Sequence, residues 1–123
     1  MLVVLVGVGG MAGTYARYRL GGAIHARVGP AFPWGTLSVN VVGSFVLGLL
    51  LPVLGAHGPL TSIRALLAVG FLGAFTTFSS FAYETGMLIT AGERARAGAY
   101  VAASLGLGLV SLIAGLILGR AIL

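Results

Sequence analysis

Residues 70–81, which read Gly-Phe-Leu-Gly-Ala-Phe-Thr-Thr-Phe-Ser-Ser-Phe, decide the fold of this chain. The run lies inside a long apolar segment, yet its twelve residues include two glycines, four serines or threonines and four phenylalanines. Small and hydroxylic residues let helices approach closely and satisfy backbone groups that a helix break releases. Phenylalanine ring edges carry positive quadrupole character, so they can face an anion without a formal charge nearby. The run therefore predicts either a broken membrane helix that handles an ion or a tight helix crossing with aromatic packing.

The composition around this run is that of a membrane protein. Of 123 residues, 59% are hydrophobic and only 7% are charged, whereas soluble domains carry about 25% charged residues. Four apolar stretches each approach the ~20 residues that a bilayer requires. We expect an all-α membrane protein with a single four-helix transmembrane domain over residues 1–123, in which short loops make neighbouring helices antiparallel. The predicted spans are Leu2–Ile24, Pro33–Leu54, Ser62–Thr90 and Ala97–Leu123.

The charged residues exclude several functional classes. The net charge of +5 comes from seven basic residues against two acidic ones. All seven are arginines at loops and helix ends, a pattern typical of membrane topology signals and not of nucleic-acid binding. Without cysteine there is no disulfide and no thiolate metal site. The only acids are Glu84 and Glu93, and neither histidine adjoins a serine in an activating motif, so we expect no enzyme.

The arginines also bear on orientation. The first and third loops hold three arginines against two on the opposite side: Arg27, Arg94 and Arg96 against Arg64 and Arg120. By the positive-inside rule, these two loops are predicted to be cytoplasmic. The bias is small, so insertion in both orientations stays open.

Two polar residues in the third span have predicted structural roles. Ser62 is the last residue of the second loop, residues 55–62, and is a candidate N-cap for the third helix. Glu84 lies three residues after Phe81 and well inside the span. A carboxylate at that depth is functional or paired, and we expect it to pair with an arginine.

Polar residues in the second span lie along one stripe of the helix, because Thr36, Asn40, Ser44 and Gly48 recur every four residues. Asn40 stands out because a buried amide needs partners for its donors and acceptors. Two interpretations stay open for it. Its side chain either clasps a neighbouring helix or donates its NH2 group to an anion that passes along the stripe.

The other spans repeat this arrangement more weakly. Tyr100 and Ser104 offer hydroxyl donors at four-residue spacing, and Arg17 either snorkels to the interface or lines an anion vestibule. Rows of small residues predict close helix packing rather than a binding site. These rows are Gly9 and Gly13 in the first span and Ser111, Gly115 and Gly119 in the fourth.

Taken in order, these motifs resemble the small bacterial fluoride channels of the Fluc/CrcB family. The run at residues 70–81 is the most specific of them. The resemblance continues through Gly9-Gly10, Gly13 and Arg17-Tyr18, then Gly35-Thr36-Leu37 and Val39-Asn40, then Gly43-Ser44-Phe45, and more loosely through Tyr100 and Ser104.

The resemblance implies a passive, fluoride-selective channel in the bacterial inner membrane that exports fluoride. It implies a third helix broken in the middle and an antiparallel dual-topology dimer with two pores; the arginine bias leaves a heterodimer with a paralogue open beside the homodimer. By matching positions, the fluoride pathway comprises Asn40, Phe78, Phe81, Thr77, Tyr100, Ser104 and Arg17. The backbone carbonyls of Gly73 and Thr76 from both subunits would hold one structural Na⁺ ion.

Two other functions compete with that of a fluoride channel. A small proton-coupled multidrug exporter needs a membrane-embedded acid in its first helix, and the first span has none. A non-transporting membrane scaffold explains the glycines. It does not explain why Asn40, Thr76, Thr77, Phe78 and Phe81 are predicted to share buried faces.

Overall fold

The computed structural model describes residues 1–55 and 59–122, and within them every regular element is helical. Part of the predicted second loop and the last residue, Leu123, therefore lie outside the described residues. A long first helix is followed by a second, by a third that is interrupted, and by a long final helix. The elements are α1 (Leu2–Val28), α2 (Trp34–Leu54), α3 (residues 62–75), α4 (Phe78–Thr90) and α5 (Arg94–Ile122).

Three of the four predicted spans are confirmed as helical stretches long and apolar enough to cross a membrane. They are Trp34–Leu54, Ser62–Thr90 and Arg94–Ile122. The first predicted span is also helical, as the 27-residue α1, but it carries Arg17 and Arg19 in its second half. That α1 crosses the membrane stays a prediction.

Several boundaries differ from those predicted. Helix α1 continues one turn beyond Ile24 and ends at Val28, and the capping residue Gly29 has a φ of 79°, which suits glycine. Helix α5 begins at Arg94 instead of Ala97, so the arginines of the third loop lie in its first turn. The expected cap at Ser62 is wrong, since Thr61 is still extended and its Oγ1 accepts a hydrogen bond from Arg64 N at 3.3 Å.

Helix α3 contains a π-helical stretch where it packs against α1. An α-helical turn at Ser62–Arg64 leads into a π-helix at Ala65–Leu72, and an α-helical turn follows at Gly73–Phe75. A Cβ atom on Gly9 would collide with the Leu66 carbonyl, and one on Gly13 with the Phe71 carbonyl. The prediction that these two α1 glycines serve close packing is thus confirmed.

Helices α2 and α5 form the other close pair. A Cβ on Gly115 would overlap the carbonyl oxygen of Phe45, and one on Gly119 would overlap that of Leu49. Ser111 Oγ reaches across the same seam and donates to Val41 O at 3.0 Å. The predicted small-residue row of the fourth span is therefore a packing seam, in which backbone-to-backbone contact supplies the attraction that lipid cannot.

This seam leads to a stability prediction. Gly115→Ala should lower the thermal midpoint of the detergent-solubilised protein, because overpacking at a tight contact costs about 1–3 kcal/mol. Gly106→Ala is the matched control on the same helix, because a Cβ there meets nothing within 4 Å. Equal midpoints for the two variants would contradict the packing account.

The predicted break in the third helix is confirmed between α3 and α4. Thr76 has φ −78° and ψ 155°, and Thr77 has φ −147° and ψ 119°, so both are extended. Two extended residues between helical segments interrupt the ladder of backbone hydrogen bonds. The groups that they release need partners from elsewhere in the bundle.

Candidate functional site at the helix break

Asn40 from α2 supplies the partners for the broken backbone. Its Nδ2 donates to Thr77 O at 3.0 Å, and its Oδ1 accepts from Thr77 N at 2.8 Å. The backbone donor and acceptor of Thr77 thereby determine which amide atom is which. Of the two interpretations of Asn40, the clasp is observed. The second hydrogen on Nδ2 has no acceptor among the described residues, so the amide keeps one free donor.

The threonines of the break are satisfied locally. Thr76 donates from both its backbone N and its Oγ1 to Leu72 O, each at 3.0 Å. Thr77 caps α4, since its Oγ1 accepts from Ser80 N at 3.2 Å and donates to Ser80 Oγ at 3.1 Å. The N-terminal end of α4 therefore lies at the break, where the helix dipole favours negative charge.

Most of the predicted site residues surround one open cavity of about 360 Å³, here called the central groove. Its walls come from α2, α3, the break, α4 and α5. The predicted residues that line it are Asn40, Gly73, Thr76, Thr77, Phe78, Phe81 and Ser104. No charged side chain is among the described residues that line the groove, so its polarity comes from amide, hydroxyl and backbone groups.

The two phenylalanines differ in exposure. The ring centroids of Phe78 and Phe81 are 5.7 Å apart and the ring planes are inclined by 52°, so the two rings are tilted and not stacked face to face. Phe78 is 78% exposed within this chain, whereas Phe81 is half-buried, so the expected burial of Phe78 beside Asn40 and Thr77 is not seen in the single chain. Phe78 is the first residue of α4, directly after the break.

Ser104 leaves an unsatisfied hydroxyl at the groove. Its Oγ is buried and has no hydrogen-bond partner among the described residues. Buried hydroxyls are rarely left unpaired in native proteins. Ser104 is therefore available to donate to whatever occupies the groove.

Tyr100 lies behind the groove, and its hydroxyl is hydrogen-bonded to Glu84. The carboxylate accepts from Tyr100 OH at 2.6 Å and from Thr36 Oγ1 at 2.7 Å. The expected pairing of Glu84 with an arginine is therefore wrong: hydroxyls from α2 and α5 lie nearer than the arginines at the helix ends. Tyr100 is fully buried, and its ring lies 5.3 Å from that of Phe81. Its hydroxyl proton thus points to Glu84 and not into the groove.

Arg17 lies apart from the central groove, at a second cavity of about 350 Å³. Thr36, Thr77 and Ser80 line the same cavity, and the Arg17 side chain is half-buried there. Thr77 lines both cavities, so the two adjoin at this residue of the break.

The family model described as CrcB-like protein, Camphor Resistance (CrcB), matches residues 4–116 of this chain. The chain belongs to the CrcB family.

Curated relatives of this CrcB chain match it over nearly its full length. A protein of Rhizobium etli strain CFN 42 is 46% identical over 120 residues, 97% of this chain and 96% of the relative. One from Sphingopyxis alaskensis is 49% identical over 116 residues, 92% and 90% of the two chains. One from Geobacter sulfurreducens is 45% identical over 120 residues, 96% of each. All three are named fluoride-specific ion channel FluC. With its apolar helices, this CrcB chain is a multi-pass membrane protein of a bacterial family.

Sequence reasoning missed the cluster of Thr36, Glu84 and Tyr100 in this CrcB chain. A signal for it was present, because Phe81 and Glu84 are three residues apart and lie on one face of α4. Thr36 likewise shares the α2 stripe with Asn40. What the sequence did not contain was the distance between the helices that carry these side chains.

The cluster predicts that Tyr100→Phe lowers the thermal midpoint of the detergent-solubilised protein. The variant leaves the Glu84 carboxylate with one hydroxyl donor in place of two, and such a bond between membrane helices contributes about 1 kcal/mol. Tyr83→Phe is the matched control, because Tyr83 is 69% exposed. If both variants melt at the wild-type temperature, the Tyr100 bond does not stabilise the bundle.

Proposed function

We propose that this chain is a fluoride-selective channel through which fluoride leaves the bacterial cytoplasm passively and so remains below toxic levels. The observation that carries the proposal is the central groove, which joins free neutral donors to phenylalanine edges and has no charged lining residue among those described. The names of the relatives from Rhizobium etli, Sphingopyxis alaskensis and Geobacter sulfurreducens support the choice of ion.

The groove suits fluoride for a physical reason. Fluoride is small and strongly hydrated, so a selective pore must replace its water with close donors without binding too tightly for release. The free Nδ2 hydrogen of Asn40, the Ser104 hydroxyl and the ring edges of Phe78 and Phe81 provide neutral partners of this kind. A guanidinium in the same place would hold the anion more strongly and slow its exit.

The remaining pathway residues have supporting parts in the proposal. Thr77 holds the break together with Asn40 and lines both cavities. Arg17 attracts anions to the second cavity, where its charge raises their local concentration. Tyr100 supports the ring of Phe81 from behind while its hydroxyl is bound to Glu84.

We further propose that α1 crosses the membrane as a fourth span and that two chains assemble as an antiparallel, dual-topology homodimer. The exposure of Phe78 and the open side of the central groove support this arrangement, because a second copy would close the groove. The small arginine bias between the two sides is compatible with insertion in both orientations. A heterodimer with a paralogue is the alternative assembly.

A structural Na⁺ ion between the two chains is part of the same proposal. In a continuous helix the Thr77 amide would bond to the carbonyl of Gly73, but here it donates to Asn40. The Gly73 carbonyl therefore lacks its helical donor, and so does the Thr76 carbonyl, because Ser80 N donates to Thr77 Oγ1. Both lie at the negative end of α3. Carbonyl oxygens are suitable ligands for hard cations. Na⁺ bound there would be coordinated by these carbonyls and would hold the break at the dimer interface.

Growth of a fluoride-sensitive bacterium that lacks its own fluoride exporter tests the proposed function in cells. Expression of this chain should restore growth in fluoride medium and lower the intracellular fluoride concentration. Rescue only with a co-expressed paralogue would identify a heterodimer. Rescue from cationic drugs but not from fluoride would instead favour a multidrug exporter, and rescue from neither a scaffold.

A further inference from the structure

A groove on the outside of α4 and α5 is separate from the fluoride site. Its cavity of about 530 Å³ has Arg94 at one end and is otherwise lined by two residues of α4, Thr85 and Ile89, and by four of α5, Ala97, Gly98, Val101 and Ala102. The Thr85 hydroxyl is bound to the Phe81 carbonyl at 2.7 Å, so it offers no free donor to the groove. A Cβ atom on Gly98 would meet nothing within 4 Å. Small side chains on α5 thus leave a trough between two helices whose outer surfaces are apolar. We call it the α4–α5 groove.

Arg94 is the cationic end of this groove. It is exposed in the first turn of α5 and has no ion pair or hydrogen-bond partner among the described residues. Its neighbour Arg96 is engaged, with Nη1 at 2.6 Å from Glu93 Oε2 and 3.4 Å from Ala31 O. Since Arg96 neutralises Glu93, the charge of Arg94 remains available at the groove.

The backbone adds to this positive end. The first amide groups of a helix have no carbonyl partner within it, and the helix dipole places partial positive charge there. At α5 these amides belong to Arg94 and the two residues after it, because Ala97 N is the first to bond back, to Glu93 O. An arginine at a helix end also lies at the level of the lipid headgroups.

We propose that the α4–α5 groove binds a phospholipid with an anionic headgroup. One acyl chain lies along Gly98 and Ala102, and the phosphate bonds to Arg94 and the first amides of α5. Charge and polarity match along the whole groove: its apolar floor lies on membrane-spanning helices, and its free cation lies where headgroups are found. A second copy of the chain would match the floor but would leave the Arg94 charge unpaired.

Native mass spectrometry of the purified protein with added lipid tests this site without reference to fluoride. Phosphatidylglycerol should bind more tightly than phosphatidylcholine, with the first bound lipid per chain showing the preference. Arg94→Gln should weaken phosphatidylglycerol binding about fivefold, since one arginine near an anionic surface contributes about that factor. Arg120→Gln, at the opposite end of α5, is the matched control and should bind like wild type.

A second variant separates the lipid from other occupants. Ala102→Phe fills the groove and should reduce the binding of both lipids, while glycerol 3-phosphate, which has no acyl chain, should not compete. Equal phosphatidylglycerol affinity for wild type and Arg94→Gln would overturn the proposal. A shift of Ala102→Phe from dimer to monomer, with lipid binding unchanged, would overturn it in favour of a second copy.

Discussion

Asn40→Asp should abolish fluoride efflux from proteoliposomes while the protein still folds. The aspartate can accept the Thr77 amide as Asn40 does, but it places a negative charge at the groove and has no hydrogen for Thr77 O. Two like unit charges 4 Å apart repel by about 4 kcal/mol at an effective dielectric constant of 20. That energy corresponds to a loss of about a thousandfold in fluoride occupancy.

The control for this variant is Ser111→Ala on α5. Its hydroxyl bonds to the carbonyls of Val41 and Gly108, and Ser111 is absent from the groove lining, so conduction should persist. Both variants should elute from gel filtration like wild type. If Asn40→Asp conducts fluoride within a few fold of the wild-type rate, Asn40 is not part of the fluoride pathway. Its hydrogen bonds to Thr77 would then have a structural role only.

Phe78→Leu should reduce fluoride efflux by up to about tenfold. Leucine preserves an apolar side chain of similar reach, so the change removes mainly the ring edge and its positive quadrupole character. Such aromatic interactions contribute about 0.5–1.5 kcal/mol, and the upper end of that range corresponds to about tenfold. The efflux rate is measured with a fluoride electrode at mildly alkaline pH, where little HF leaks through lipid.

Phe71→Leu is the matched control, because it makes the same substitution at a residue that does not line the central groove. The Phe71 ring stacks on Phe75 with centroids 5.8 Å apart and is absent from the groove lining. Its efflux should stay near the wild-type rate. If Phe71→Leu and Phe78→Leu lose conduction equally, the effect is one of packing and the ring edge of Phe78 has no special part.

The break was predictable because its chemistry is local. Hydroxylic and small residues concentrated at residues 70–81 indicate a helix that cannot continue, and the structure interrupts it at Thr76 and Thr77. The glycine seams were predictable for a similar reason, since small residues at four-residue spacing face one neighbour. Which helix packs against each row of glycines, and at which of its residues, was not predictable.

Hydrogen bonds between distant residues account for what was missed. Asn40 and Thr77 are 37 residues apart, and Thr36 and Glu84 are 48 apart. Periodicity places Thr36, Asn40 and Glu84 on faces of their helices but does not say which faces meet or what lies beside Thr77. Glu84 was therefore assigned an arginine by charge alone, whereas two hydroxyl donors were closer. Phe78 was expected on a buried face, but a single sequence does not say how much of the ring one chain covers, and here 78% of it is exposed.

Fluoride efflux from liposomes that contain only the purified chain is the most direct test of the proposed function. A potassium ionophore carries the balancing charge, a fluoride electrode follows release, and a parallel set of liposomes is loaded with chloride. The account predicts rapid fluoride release that needs no proton gradient, with chloride retained. Release of both halides at equal rates, or fluoride release that requires a proton gradient, would contradict a passive fluoride-selective channel.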